Sequence, residues 1–385
     1  MFGIFSHLSI AFALAVLALA SSIDFTANAA ADVTVFRSGI GGFPCVRVPS
    51  LVAVPGVVLL AFAECRHFVG DQCEPADKRR WNSTDKQSRV ICLRRSFDNG
   101  TTWGPLNVNV APGWHAAYPT ASYRSSSDTV VLQFSAWAVD GPRTERAYLS
   151  PTIMQVVSSD HGSTWGPPRA VIGVAHQFLG GCRSDATSAG RLLFAGYDHP
   201  STSYVTSTSV WASDDGGTTY QTLVSGLSGG EPQLALLEPS GEHLALYLRG
   251  NSSSPPLVSY SRDSGRTWSA VTSSTVPAQG DVLTSVKVAP SGEAYYSAPV
   301  GPGYRANLTL FRSSDLGQSW RELQPLHSPA DHTQTYPRGS YSCVETAGDD
   351  LFVLRETAPE ASDTECVGTC RISLSRVSIK PTIEY

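Results

Sequence analysis

Apolar residues fall in short runs of strand length, at 57–62, 130–134, 192–197, 244–247 and 351–354, between stretches rich in Gly, Pro, Ser and Thr. Apolar runs of this length bounded by turn formers predict buried β-strands. Beyond the first thirty or so residues no amphipathic stretch of helical length stands out, so the expected class is all-β. Between the runs an eight-residue pattern, S-x-D-x-G-x-[ST]-[WY], occurs five times. Its copies start at Ser96, Ser158, Ser213, Ser261 and Ser313, in steps of 62, 55, 48 and 52 residues. The residue types of this pattern suit a tight turn. An Asp side chain caps backbone N–H groups there, Gly takes the positive φ that other residues resist, and the closing aromatic gives the hairpin an apolar plug. The motif therefore reads as a structural turn. Its spacing lacks the run of oxygen ligands found in calcium loops. A period near fifty residues with one such hairpin per repeat predicts a β-propeller with about four strands per blade, and the chain length suits six blades.

Composition narrows the partners. The 385-residue chain is 16% charged with a formal net charge of −5, well below the roughly 25% charged residues usual in soluble domains. Of its 28 basic residues only Lys78, Lys86, Lys287 and Lys380 are lysines. With no basic run, nucleic acid is not an expected partner, whereas a small anion held at one place is compatible. Residues 1–29 read as a signal peptide: an apolar stretch over 8–19 leads to Ala18-Leu19-Ala20 and Ala27-Asn28-Ala29, which place cleavage between 20 and 31. The stretch is too short to span a bilayer. Residues 32–385 then form a single propeller domain, with no composition shift to mark a second. Eight cysteines, an even number, fit disulfides in an oxidising compartment. Cys65 and Cys73, and Cys366 and Cys370, are the nearest in sequence, and the connectivity is open. Neither paired C-x2-C spacing nor H-E-x-x-H is present, so no metal or other cofactor is expected. Sequons at Asn82, Asn99, Asn251 and Asn307 are compatible with secretion.

In a propeller the innermost strands converge on one channel, so polar residues embedded in strand-like segments are candidate site residues. Arg47 lies in Phe43-Pro44-Cys45-Val46-Arg47-Val48-Pro49 and Arg66 ends an apolar run just after Glu64. Arg249 follows Leu244-Ala245-Leu246-Tyr247-Leu248, and Arg305 opens Arg305-Ala306-Asn307-Leu308-Thr309. Taken with the five repeats, these residues resemble the sialidase (neuraminidase) family. The repeats resemble its Asp boxes, and Val46-Arg47-Val48-Pro49 resembles its F/Y-R-I-P motif. The resemblance runs from 43 to 356, with the motifs in the family's order.

That resemblance implies a six-bladed propeller and an exo-α-sialidase. Three arginines, matched by Arg47, Arg249 and Arg305, would bind the sialic acid carboxylate. A planar guanidinium offers two parallel N–H donors to such a group. Clustered like charges call for carboxylate partners, and Glu356 matches the acid that steadies the first arginine. Tyr341, in Gly339-Ser340-Tyr341-Ser342, matches the nucleophile. A phenol of pKa about 10 needs a base to act near neutrality, and Glu231, in Gly230-Glu231-Pro232-Gln233, matches it. Sialidases are among the glycosidases that use tyrosine in this way. The general acid/base should be an Asp in the loop over 67–88. Asp85, eleven residues before Ser96, has the family spacing, while Asp71 and Asp77 share the loop and compete. Arg66 matches the arginine used near the ring hydroxyls. One position departs from the family: Tyr118 precedes Pro119 where many relatives place Asp or Asn, which leaves the preferred sialic acid variant open. Trp114 and Tyr118 either line the leaving-group side or pack between blades. The implied activity is retaining hydrolysis of sialylated glycoproteins, glycolipids or oligosaccharides, outside the cell or in an organelle of the secretory pathway. Transfer to an acceptor sugar, hydrolysis of the deaminated sialic acid, and a non-catalytic Asp-box binding propeller are the alternatives.

Overall fold

The strands Cys45–Val54 and Val58–Arg66 are buried at every position. Sheets covered on both faces need no polar alternation, which is why such segments read as continuous apolar runs. The computed structural model describes residues 32–67, 73–75, 88–142, 144–174, 178–198, 206–251, 254–301, 305–326, 341–357, 366–368 and 371–379. The signal-peptide reading of 1–29, the sequon at Asn82, and all three acid/base candidates, Asp71, Asp77 and Asp85, lie outside these residues.

Six antiparallel sheets form the blades. Their innermost strands are Cys45–Val54, Trp114–Arg124, Gly230–Leu236, Ser285–Val288 and Ser342–Ala347 in blades one, two, four, five and six. In blade three the inner position is split into Phe178–Leu179 and Asp185–Ala186, on either side of Cys182. Neighbouring inner strands touch all the way round, so the blades close into a ring, a six-bladed β-propeller. The sixth blade combines strands from both ends of the chain: Val33–Arg37 pairs with Arg371–Ser378, outside Asp350–Thr357 and Ser342–Ala347. Each apolar run read from the sequence falls within a strand, except that Val57 belongs to the turn before Val58–Arg66.

All five repeats are turns that start on the last residue of a blade's third strand, as Ser96 ends Arg89–Ser96. In the first, the Asp98 carboxylate accepts from the Ser96 hydroxyl (2.8 Å) and the Thr102 backbone N–H (2.8 Å), while the Ser96 oxygen accepts from Gly100 N–H (2.8 Å). The turn needs two successive left-handed residues, the glycine and the one before it. At the second box these are Gly162 (φ 75°) and His161 (φ 54°). A Cβ on Gly162 would also lie 2.8 Å from a terminal methyl of Leu60, so a larger residue there would have to displace that side chain as well as adopt the left-handed backbone.

Among the described residues three disulfides are formed. Cys45–Cys73 and Cys65–Cys92 are local to the first blade, Cys73 lying between its second and third strands, and Cys182–Cys343 joins blade three to blade six. Cys65 and Cys73, near neighbours in sequence, thus take different partners. Among the described residues no helix is long and apolar enough to cross a membrane.

Candidate active site

One face of the ring holds the candidate residues. Second strands run antiparallel to third strands, so the ends of the second strands (Arg66, Arg249, Glu356) lie opposite the face that carries the repeated turns. On the face of the site, away from the repeated turns, three inner strands carry the same irregularity. Arg47 pairs with Glu64 and Ser50 with Phe62, so Val48 and Pro49 oppose a single residue. Tyr118-Pro119 and Glu231-Pro232 break the register in the same way. Proline has no N–H to give to the ladder and is at home in such bulges. The residue before each proline has a left-handed φ: 53° at Val48, 52° at Tyr118 and 40° at Glu231. That region is uncommon for non-glycine residues and rarest for β-branched ones, and such conformations cluster at functional sites. The bulges re-aim side chains at the channel mouth. The register also places Glu64 opposite Arg47, and Arg249 opposite Gly230 next to Glu231.

Arg47, Arg249 and Arg305 converge on Tyr341. The guanidinium carbons of Arg47 and Arg305 lie 5.3 and 5.5 Å from the centre of its ring. Arg249 Nη1 reaches the phenol oxygen at 3.4 Å and Glu231 Oε1 at 2.9 Å. The phenol O–H donates to that same Glu231 oxygen. Glu231 Oε2 is buried and has no hydrogen-bond partner among the described residues. Burial, and then the charge of Glu231, push the Tyr341 phenol well above its ordinary range, with the three arginines pulling the other way. In the resting site Tyr341 therefore holds its proton. Burial works against the charge of Arg249, but Glu231, Tyr341 and Asp281 outweigh it and its pKa ends raised.

Glu356 sits behind Tyr341, fully buried, and accepts from Arg47 Nε (2.6 Å), Val48 N–H (2.9 Å) and Tyr341 N–H (3.1 Å). A second charged cluster adjoins the first. Glu64 accepts from Arg66 Nε (2.9 Å), Arg89 Nη1 (2.9 Å) and the backbone of Tyr118 (2.9 Å). Burial opposes its ionisation, but Arg66 and Arg89 hold its pKa below the usual carboxylate range. Arg89 lies 5.9 and 5.7 Å from the ring centres of Trp137 and Tyr148, which stack on each other. Phe178 links this stack to Tyr197 and, at 5.6 Å edge to face, to Tyr118. Tyr118 thus turns its ring into an aromatic cluster beside Tyr341, whereas Trp114 packs against the core between blades one and two.

Every expected site residue within the described segments is therefore gathered here: Arg47, Arg66, Arg249, Arg305, Glu231, Tyr341 and Glu356. Three participants carried no sequence signal strong enough to single them out. Arg89 is one arginine among many, next to the first repeat. Asp281 follows a glycine in a stretch without a motif, yet its carboxylate accepts from Arg249 Nε (3.0 Å) and its carbonyl from Arg305 Nε (3.2 Å). Gln279 accepts from the Arg305 backbone N–H (3.1 Å).

The BNR repeat-like domain family matches residues 83–344. Among solved structures, Hadza microbial sialidase Hz136 is similar with a TM-score of 0.72 at 20% identity, over 90% of this chain and 68% of that one. Trypanosoma rangeli sialidase, in its complex with 2,3-difluorosialic acid as a covalent intermediate, gives 0.63 at 18%, over 93% of this chain and 60% of that one. The leech intramolecular trans-sialidase, complexed with 2,7-anhydro-Neu5Ac, gives 0.66 at 16%, over 91% and 70%. This chain thus spans about three fifths of the trypanosomal protein. At these identities the likeness establishes the fold.

Proposed function

Because the chain belongs to the family of BNR repeat-like domains, and because three arginines surround a Tyr–Glu pair at the mouth of its channel, we propose that it is a retaining exo-α-sialidase. The observation that carries the proposal is the hydrogen bond from Tyr341 to Glu231 within reach of Arg47, Arg249 and Arg305. Such a cluster suits a substrate with a carboxylate on its reacting carbon, since guanidinium groups hold it in a fixed plane. A neutral phenol approaches that carbon without the repulsion a carboxylate nucleophile would meet. Tyr341 attacks the anomeric carbon while its proton passes to Glu231, and the bond to the leaving oxygen breaks as Asp85 protonates it. Asp85 then takes a proton from water as its oxygen attacks the anomeric carbon, and Glu231 returns its proton to the departing Tyr341 oxygen, so the sugar is released with its anomeric configuration retained. The raised phenol pKa makes Glu231 indispensable, because a free phenolate is not available near neutrality. Arg66, held by Glu64, faces the ring hydroxyls. The three disulfides support action in an oxidising compartment.

The test is hydrolysis of a 4-methylumbelliferyl sialoside by the purified protein and by Tyr341→Phe. The wild type should turn over the N-acetyl or the deaminated substrate, and the variant should lose at least about a thousandfold in kcat, an effect on the scale of removing an essential catalytic group. No turnover of either substrate by the wild type would refute the reading. Adding lactose to the same assay separates transfer from hydrolysis.

A further inference from the structure

Each arginine of a buried cluster needs a partner that fixes its plane without occupying the N–H groups meant for the ligand. Glu356 does this for Arg47. Arg249 is the most open of the three, with about a quarter of its side chain exposed against a few per cent of Arg47 and Arg305. It therefore has the most freedom to lose. Its described partners are Glu231, Tyr341 and Asp281. The contacts to Glu231 and Tyr341 both run through Nη1 and leave the guanidinium able to pivot about that atom. Asp281 removes the pivot. One of its carboxylate oxygens accepts from both Nε and Nη2, so it grips the side-on edge and leaves the second N–H of Nη2 for a ligand. The same residue reaches Arg305 through its backbone carbonyl, 3.2 Å from Nε. Gln279, two positions earlier, holds the Arg305 backbone.

We propose that Asp281 is the positioning residue of the carboxylate clamp: by its side chain it sets the plane of Arg249, by its main chain it locates Arg305, and so it determines how tightly the substrate carboxylate is held. This rests on the sialidase reading of the site. Asp281 acts through hydrogen-bond acceptance, so the acceptor matters more than the charge. Asp281 is a quarter exposed, at the rim of the site and away from the bond that breaks, so its loss should weaken binding and spare the chemical step.

The experiment compares wild type, Asp281→Ala, Asp281→Leu and Asp281→Asn on the methylumbelliferyl sialoside, with free sialic acid and its methyl ester as inhibitors. Asp281→Ala should raise KM about tenfold or more, the scale of a lost charge-assisted hydrogen bond, with kcat within about threefold of wild type. Asp281→Asn, which keeps an acceptor oxygen, should recover most of the affinity. Inhibition by the free acid should weaken in step with KM, while inhibition by the ester stays as in wild type. If Asp281→Ala does not fold, the nearly isosteric Asp281→Leu takes its place in the same comparison. An unchanged or lowered KM overturns the proposal, and so does a fall in kcat at constant KM. It is equally overturned if Asp281→Asn is as impaired as Asp281→Ala, or if acid and ester lose inhibition equally. Failure of the wild type to hydrolyse any sialoside overturns the sialidase reading instead, and calorimetric binding of the free acid to wild type and variants then tests Asp281 directly.

Discussion

Glu356 joins three groups that must be in register for the site to exist: the guanidinium of Arg47, the backbone of the bulge at Val48, and the backbone of Tyr341. All of this takes place without solvent, since Glu356 has no exposed surface and Arg47 almost none. Removing one member of a buried ion pair is far more damaging than the net worth of the pair, because the remaining charge loses its compensation in a medium that solvates it poorly. Glu356→Ala is therefore expected to destabilise the fold by about 3–5 kcal/mol, measured as the shift in a urea unfolding curve. Glu356→Gln, which keeps an acceptor for Arg47, should cost less. An alanine variant that unfolds at the wild-type urea concentration would show that the pair is not essential to the fold. Nothing in the local sequence foretold the pairing. Arg47 and Glu356 are 309 residues apart, and only their resemblance to a family pattern brought them together. Asp281 had no such pattern, and it emerged only when the ring placed it on Arg249.

The repeated turns are the opposite case, legible because their contacts are local. Every bond that defines a box spans two to four residues, so residue types and spacing are sufficient to specify it. The inner-strand bulges fall between these extremes. Val48-Pro49, Tyr118-Pro119 and Glu231-Pro232 are visible as X-Pro pairs, but their shared position at one end of the inner strands appears only once the strands are paired. The boxes also make a prediction of their own. Side-chain hydroxyl donors, first Thr102, Thr164, Thr267 and Ser319, pull the carboxyls of Asp98, Asp160, Asp263 and Asp315 down to about 2. Asp215 is lowered further, first by the Thr219 backbone. A carboxyl whose folded pKa lies below its unfolded value of about 4 stabilises the fold above that value, and the stabilisation disappears as pH falls towards the folded value. Stability should thus decline between about pH 4 and pH 2. The decline should be shallower in each Asp→Asn box variant, as followed by tryptophan fluorescence in urea at stepped pH. These carboxyls are solvent-exposed, so solvent screening keeps each contribution small. A flat wild-type stability profile across that window would contradict the assignment.

At the scale of the molecule, a ring of six blades can fail by opening at its seam or by letting opposite blades drift across the channel. The seam is closed by Val33–Arg37 hydrogen-bonded to Arg371–Ser378 in the sixth blade. Drift is opposed by two further devices on the inner strands. Lys287 of blade five bonds Asp185 of blade three (2.9 Å) and Glu345 of blade six (3.2 Å), while Arg183 holds Asp185 at 2.6 Å. Above this charge network Cys182–Cys343 joins blades three and six, which stand opposite each other in a ring of six. It closes a loop of 161 residues, the longest of the three. In the chain-entropy account a cross-link stabilises more as its loop lengthens, typically by about 2–5 kcal/mol for a native disulfide. Cys343 is also two residues beyond Tyr341, and Gly181, next to Cys182, accepts from Gln233, two residues beyond Glu231. The staple therefore fixes the two strands that present the proposed nucleophile and its base. Replacing Cys182 and Cys343 together by Ser should lower the melting temperature by several degrees. It should also depress kcat well below the melting transition, because the distance between Tyr341 and Glu231 is no longer held from beneath. The corresponding change at Cys45 and Cys73, which closes a loop of 28 residues, should cost less stability by the same argument. Calorimetry and single-turnover rates on the two double variants decide the matter: equal melting points, or unchanged turnover in the Cys182/Cys343 pair, would mean that the ring positions its site without help from the cross-channel bond.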